Sequence, residues 1–363
     1  MSPINLADPD ADSGKVQLRM SEATQQLLDM EAQYTAGGFT PLPAFMDKGL
    51  GARLWDVDGK EYLDFICMFS AINQGHSHPK IIQAMTTQLQ KAYGLDSPRQ
   101  TNVNPTTGQV LQFGNLQLME ECLREHHTRT AAVIMECIRN TGNTYEEEVN
   151  YSRGVYDLCK KYGILFIADE VRMGCGKTGK FFSFHHLGDD VKPDLVVMGK
   201  SVSGGAYPAS FVLGPKEIMG LVHAYESAAT FCHTPLAIAA CEAALEIIDE
   251  ENLVERAAAI GRKFTAMTAD LKSHPYVTKI EVRGADFNVG ILEDAAKGIT
   301  ARRLAGLILT KGVLLYPLEG RLRMSVPMVM TDEELERGIQ TIKDAMNELP
   351  SYGAIPGEAY HKD

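Results

Sequence analysis

Ile164-Leu165-Phe166-Ile167-Ala168-Asp169-Glu170-Val171 is the stretch on which the fold turns. Five apolar residues in a row, with no polar alternation, describe a strand covered on both faces, as in a parallel sheet. The run ends in two carboxylates, Asp169 and Glu170. In a parallel sheet the C-terminal ends of the strands open onto the ligand crevice, so acids there are candidates for chemistry. Taken alone, the plainer reading is that Asp169 or Glu170 merely caps the next turn.

Upstream, Val149–Tyr162 has helical character and is closed by Gly163 as a left-handed cap. Before that helix, Ala131–Met135 reads as another strand. Downstream, Leu195–Met198 and Phe211–Leu213 read as two more. Strands alternating with helices predict an α/β domain with a mostly parallel sheet. Just past the third strand comes Met198-Gly199-Lys200-Ser201-Val202-Ser203-Gly204-Gly205. Small residues surround Lys200 and leave room for a flat ring. A lysine that loses its proton through partial burial there becomes a nucleophile towards an aldehyde, although a surface lysine in a glycine-rich turn is the plainer reading.

Two tempting motifs fail. Gly174-Cys175-Gly176-Lys177-Thr178-Gly179-Lys180 looks like a phosphate loop, but Val171 stands where the first glycine is required and Gly179 where a helix must begin. His76 and His78, in Gly75-His76-Ser77-His78-Pro79, suit a structured turn better than a metal site, and no third ligand motif accompanies them. His126-His127 and His185-His186 fall in polar, loop-like settings.

Arg53–Phe65 reads as a hairpin with Asp58-Gly59 at a type I′ turn. From Pro235 the pattern changes. Helices at about Pro235–Asp249, Leu253–Ser273, Ala301–Lys311 and Asp332–Leu349 surround strands near Val277–Val282, Asn288–Ile291, Val313–Tyr316 and Arg321–Ser325. The expected organisation is a flexible arm over residues 1–20, an N-terminal segment 21–60, a large domain 61–234, a small α/β domain 235–350 and a loose tail 351–363.

The 363 residues carry 35 basic and 47 acidic side chains, a net charge of −12, which argues against nucleic-acid and anionic-membrane partners. Seven scattered cysteines, none in a C-x-x-C pair, predict neither a disulfide framework nor a zinc site and suggest a reducing compartment, the cytoplasm. The acidic N-terminus has no apolar run of the secretory kind, and no stretch has the length of a membrane span.

Taken in order, several blocks resemble class III, fold-type I pyridoxal-phosphate (PLP) aminotransferases nearly from end to end. They are Tyr34–Ala36 through Pro41–Pro43, Ser70–Pro79, Phe166–Val171, Met198–Lys200 with Ser203–Gly205, Glu250–Leu253 and Val282–Gly284. The Ala71–His76 block is similar to ornithine aminotransferases in particular. The resemblance implies PLP as cofactor, a homodimer, and amino-acid and 2-oxo-acid substrates. It implies that Lys200 holds the cofactor covalently and shuttles a proton, and that Asp169 pairs with the pyridine nitrogen. It implies that Thr230 reaches the partner subunit's cofactor phosphate and that Arg323 binds a substrate carboxylate.

The sequence also departs from that family. Between Gln90 and about Asn102 the family carries roughly eighty more residues, which include a phosphate-cradling helix N-terminus, a ring-stacking aromatic and, in ornithine aminotransferases, a substrate-facing arginine. Phe39 and Phe69 stand where ornithine aminotransferases carry tyrosines near the substrate. Arg172 replaces a glutamine that touches the cofactor's ring oxygen, where an arginine either still donates to the cofactor or binds a carboxylate in a remodelled site; the Met135-Glu136-Cys137-Ile138-Arg139 block is altered with Glu136 on the substrate side, and Thr141 replaces the glutamate that partners the C-terminal arginine. The expected activity is ornithine-type amino transfer, impaired by these losses. The alternative is a degenerate relative that binds a ligand or partner without transaminating.

Overall fold

The computed structural model describes residues 5–6, 18–19, 21–34, 45–50, 53–63, 103–140, 142–205, 207–222, 234–313, 315–352 and 355. The chain clusters into two compact units, residues 1–99 with 214–240 and residues 100–213 with 241–363.

In the first unit, β1 (Asn5–Leu6) pairs antiparallel with β2 (Leu18–Arg19), followed by helix α1 (Glu22–Tyr34). A three-stranded antiparallel sheet follows, built from β3 (Met46–Leu50), β4 (Arg53–Asp56) and β5 (Glu61–Leu63). The hairpin is present, but its turn is not the tight type I′ form. Trp55 pairs with Glu61, and Gly59 alone takes a positive φ, 78°. The Asp56 carboxylate accepts the N–H groups of Asp58 and Lys60, and this side-chain cap stabilises the longer loop.

The second unit begins with α2 (Leu116–His126), β6 (Ala132–Met135), α3 (Tyr145–Tyr162), β7 (Leu165–Asp169), β8 (Leu195–Met198) and β9 (Phe211–Leu213). The four strands lie in sequence order, β6-β7-β8 parallel and β9 antiparallel at the edge. Helix α3 starts four residues before the expected Val149, because Thr144 and Glu147 form a capping box: each side chain accepts the other's backbone N–H. Gly163 closes it in the left-handed conformation. Val155, Cys159, Phe166 and Ala168 are fully buried where α3 covers the sheet, with Tyr156 edge-on to Phe166.

Helix α4 (Lys216–Met219) belongs to the first unit, and α5 (Pro235–Glu250) crosses the division at Ala240. Then come α6 (Leu253–Met267), β10 (Val277–Arg283), β11 (Asp286–Ile291), α7 (Ala301–Thr310), β12 (Tyr316–Leu318), β13 (Arg321–Ser325) and α8 (Asp332–Glu348). These strands form an antiparallel sheet in the order β10-β11-β13-β12, and the central strand β11 is wholly buried. Phe264 of α6 stacks on Phe287 of β11 at 3.9 Å. Two expected elements shift. The helix from Leu253 stops at Met267, where the Thr268 hydroxyl bonds back to the Phe264 carbonyl, and a separate 3-10 turn covers Asp270–Ser273. Val313 donates to the Ile308 carbonyl and so finishes α7, which moves the following strand to Tyr316–Leu318.

Residues 171–182 run as turns with no helix after Thr178. Their role is docking: Gly284, at φ 58°, sits so close that a Cβ would lie 2.4 Å from the Lys177 carbonyl, and Ala285 donates to that same carbonyl at 2.9 Å. Among the described residues no helix is long and apolar enough to cross a membrane, and no group of three metal-ligating side chains occurs.

Candidate active site

The C-terminal edge of the parallel strands gathers Glu136, Asp169, Glu170 and Lys200. Register pairs Met135 with Ala168 and Asp169 with Val197, so the ends of β6, β7 and β8 lie side by side. Asp169 is half-buried, and its Oδ1 accepts the Val171 N–H at 3.0 Å. That bond orients the carboxylate and leaves Oδ2 without a partner among the described residues.

The neighbouring acid has a different task. Glu170 is buried and accepts the Ser183 N–H, the Ser183 hydroxyl and the Phe184 N–H at 2.8–3.0 Å. Burial raises its carboxyl to about 7 against those hydrogen bonds. It fastens the 3-10 turn Ser183–Leu187 to the end of β7. The structural reading holds for both acids in part: Glu170 uses both oxygens to hold the following turn, and Asp169 caps Val171 with Oδ1 alone.

Lys200 follows β8 in a left-handed conformation, φ 50°, at the start of a short 3-10 turn. It is exposed, as the plainer reading of a surface lysine in a glycine-rich turn expects, and not partly buried as the nucleophile reading requires. Its amine has no partner among the described residues. By contrast, half-buried Lys177 donates through Nζ to the Val326 carbonyl and Lys180 Nζ donates to the His185 carbonyl, both at 2.8 Å. Burial lowers Lys177, with Asp286 opposing. Ser203 is buried and bonds to the Tyr207 and Lys200 carbonyls, holding the Lys200 turn.

The structure also brings together residues whose meeting the sequence did not signal. Arg172 Nε donates to Glu136 Oε1 at 2.9 Å, Nη1 lies 3.5 Å from Asp286 Oδ2, and Nη2 donates to the Arg139 carbonyl. Asp286 also accepts from Asn140 Nδ2 at 2.7 Å. Asn140 takes φ 50°, rare for a residue with a Cβ, and its carbonyl accepts from Asn288. Asn140, Asp286 and Asn288 had no motif to mark them. Their role arises from contacts some 146 residues apart in sequence.

Arg323 lies on β13 opposite Asn288 of β11 and Tyr316 of β12. His186 is not in a loose polar setting as expected. It is bonded to the Tyr145 hydroxyl at 2.8 Å and the Thr178 hydroxyl at 2.9 Å. His126 is likewise the buried last residue of α2. Phe39, Phe69, His76, His78, Thr141 and Thr230 lie outside the described residues.

A family profile for class III aminotransferases matches residues 34–98 and 95–346. The chain belongs to the class III aminotransferases. The two matched blocks meet at residues 95–98, where the sequence places the missing stretch, so this aminotransferase is a shortened member. The ornithine aminotransferase of Schizosaccharomyces pombe is 32% identical over 423 positions, which take in 92% of this chain and 96% of the relative. That of Saccharomyces cerevisiae is 29% identical, covering 91% and 100%. Among solved structures, acetylornithine aminotransferase from Elizabethkingia anophelis superposes with a TM-score of 0.61 at 27% identity, covering 90% of this chain and 99% of that one. The ornithine aminotransferase of Plasmodium yoelii superposes with 0.61 at 25%, with the same coverage. The fold is the fold-type I arrangement of PLP-dependent aminotransferases.

The aminotransferase's cofactor is PLP. The described residues fit its ring. Asp169 offers an oxygen at one strand end and Lys200 an amine at the next, the two groups that would hold it. When bound, PLP supplies an electron-withdrawing ring that lets a proton leave the carbon bearing the amine.

Proposed function

We propose that this aminotransferase moves the terminal amino group of ornithine, or of a similar ω-amino acid, to a 2-oxo acid, producing glutamate semialdehyde and an amino acid. The observation that carries the reading is the pair of adjacent strand ends bearing Asp169 and Lys200, whose second carboxylate oxygen and amine have no partner among the described residues. The likeness to ornithine aminotransferases over nine-tenths of the chain supports the choice of donor. In this reading Lys200 holds the cofactor and carries the proton, Asp169 keeps the ring nitrogen protonated, and Thr230 serves the partner subunit's phosphate site. Arg323 anchors a substrate carboxylate, and Phe39, Phe69 and Glu136 border the substrate. The working form is a homodimer whose lobes divide near residue 235. Among the described residues five buried thiols are free, which supports a reducing compartment such as the cytoplasm.

Adding PLP to the purified chain tests this. A visible band should appear, and borohydride should trap the cofactor on Lys200. A trapped adduct on Lys177 or Lys180 overturns the assignment. Single-turnover mixing with a panel of amino donors then ranks ornithine. Affinity for PLP should fall short of full-length relatives, because each missing charge-assisted bond to the phosphate costs about 1.5–3 kcal/mol.

One observation favours a second reading, a ligand-binding relative that does not transaminate. Arg172, at the position of a cofactor-facing glutamine in the family, is already engaged by Glu136, Arg139 and Asp286. A visible band that no amino donor bleaches supports that reading.

A further inference from the structure

We infer that Arg172 is a carboxylate anchor whose resident occupant is Glu136, and that a dicarboxylate substrate binds by displacing Glu136 from it. The inference deepens the proposed amino-transfer reading and rests on it, since it names the acceptor side of the same strand edge.

The three nitrogens of Arg172 are held unequally. Nη1 faces Asp286, whose side chain is 2% exposed and fixed on its far side by Asn140. Nη2 donates to a main-chain carbonyl, that of Arg139. Neither partner swings away without disturbing β11 or the chain after β6. The third partner differs in kind. Glu136 meets only Nε, at 2.9 Å, its side chain is 25% exposed, and its other oxygen lies 3.7 Å from Arg139 Nε. A side chain at the rim holding a guanidinium by one N–H is the exchangeable member of the set.

Exchange is favourable because it conserves charge pairing. A buried or half-buried guanidinium left alone is costly, so an anchor of this type stays occupied by an internal carboxylate until an external one arrives. The incoming group can use the remaining N–H groups of the planar fork as well as Nε, where Glu136 uses one. Glu136, once released, reaches solvent and Arg139. Position supports the assignment: Glu136 directly follows β6 and Arg172 lies three residues past Asp169, so the pair borders the edge that bears Lys200. The ligand class is a short dicarboxylate, such as the 2-oxo acid acceptor.

The test is calorimetric titration of glutarate, an unreactive dicarboxylate, into the full chain, first without cofactor and then after PLP loading. Its uncharged analogue pentanediamide is the control. Glu136→Gln should bind glutarate about tenfold more tightly, because the competing carboxylate is gone while the guanidinium remains. Arg172→Gln should weaken binding at least tenfold, as should Asp286→Asn through misplacement of Arg172. Asp286 is buried and its variant risks misfolding. The Glu136→Gln gain has the opposite sign and cannot come from damage.

Glutarate affinity that is unchanged in Arg172→Gln, or weakened in Glu136→Gln, overturns the anchor. If in that case PLP still traps on Lys200 and ornithine still reacts, the amino-transfer reading stands without it. If glutarate follows the pattern while no amino donor reacts, the anchor stands and the amino-transfer reading falls.

Discussion

Arg283 and Glu148 form an ion pair 2.9 Å long in which neither side chain is more than 4% exposed. It joins the end of β10 to the first turn of α3. Glu148 also accepts the Asn140 N–H at 2.6 Å, and Arg283 donates to the Asn143 carbonyl. Burial raises the Glu148 carboxyl, with the Arg283 guanidinium opposing. Removing one member leaves the other charged and dry. Glu148→Leu should therefore cost about 3–5 kcal/mol in urea unfolding. A loss below about 1 kcal/mol would show that the network relaxes around the gap.

His186 gives the protein an acid-sensitive joint. Burial comes first among the causes that lower its pKa from the ordinary 6.5 to about 4, and Lys180, His185 and Arg283 add to it. The folded state resists the proton that the unfolded chain accepts, so stability falls as pH drops from about 6.5 to about 4, by on the order of 2 kcal/mol. Glu170 acts the other way. Its raised carboxyl, about 7, contributes stability that is full below its ordinary 4.5 and is lost as pH rises through 7. The two offset each other between pH 4.5 and 6.5. His186→Gln keeps a partner for Tyr145 and Thr178 but removes the titration. In that variant, stability from chemical unfolding should rise as pH falls from 7.5 to 5. A profile that superimposes on the wild type would remove His186 from the account.

Much of the scaffold was legible because local signals and burial agree. The strand expected at Ile164–Ala168 forms one residue later, at Leu165–Asp169, and the cap at Gly163 and the strand Leu195–Met198 sit where the sequence put them. The start of α3 was equally readable, since Thr144-x-x-Glu147 is a capping box, and it was missed only because apolar spacing begins later. The division between Asp169 and Glu170 was not legible. Two adjacent acids at a strand end look alike until Ser183 and Phe184 arrive from the following turn. The Arg172–Asp286 contact was beyond reach for a stronger reason. It joins two sheets through residues 114 apart, and no periodicity encodes such a meeting.

Strand β9 bears on assembly. Among the described residues it is the outer strand of its sheet, and Phe211, Val212 and Leu213 are 41%, 48% and 46% exposed, so a short apolar edge stands open. Edges of this kind are normally charged, bulged or covered. We expect a second copy of the chain to cover it. Sedimentation in dilute solution should give twice the 39.8 kDa chain mass. Val212→Lys should shift the population towards monomer without changing the far-ultraviolet circular dichroism. A wild-type chain that sediments as a clean monomer contradicts the expectation.

Asp169 allows the cap and the chemistry to be separated, because the cap uses one oxygen only. Asn at this position retains an Oδ1 acceptor for the Val171 N–H but cannot hold a ring nitrogen in its protonated form. Ala loses both. If Asp169 were merely a turn cap, Asp169→Asn would behave as wild type, and Asp169→Ala would lose about 1 kcal/mol of stability with amino transfer unimpaired. If it serves the cofactor ring, both variants should lose at least about 100-fold in single-turnover amino transfer, an ion-pair loss of roughly 3 kcal/mol in the rate barrier. Only Asp169→Ala should then lose stability as well. The stability difference between the two variants measures the cap, and the activity loss they share measures the charge. Amino transfer by Asp169→Asn at the wild-type rate would leave Asp169 with the turn alone.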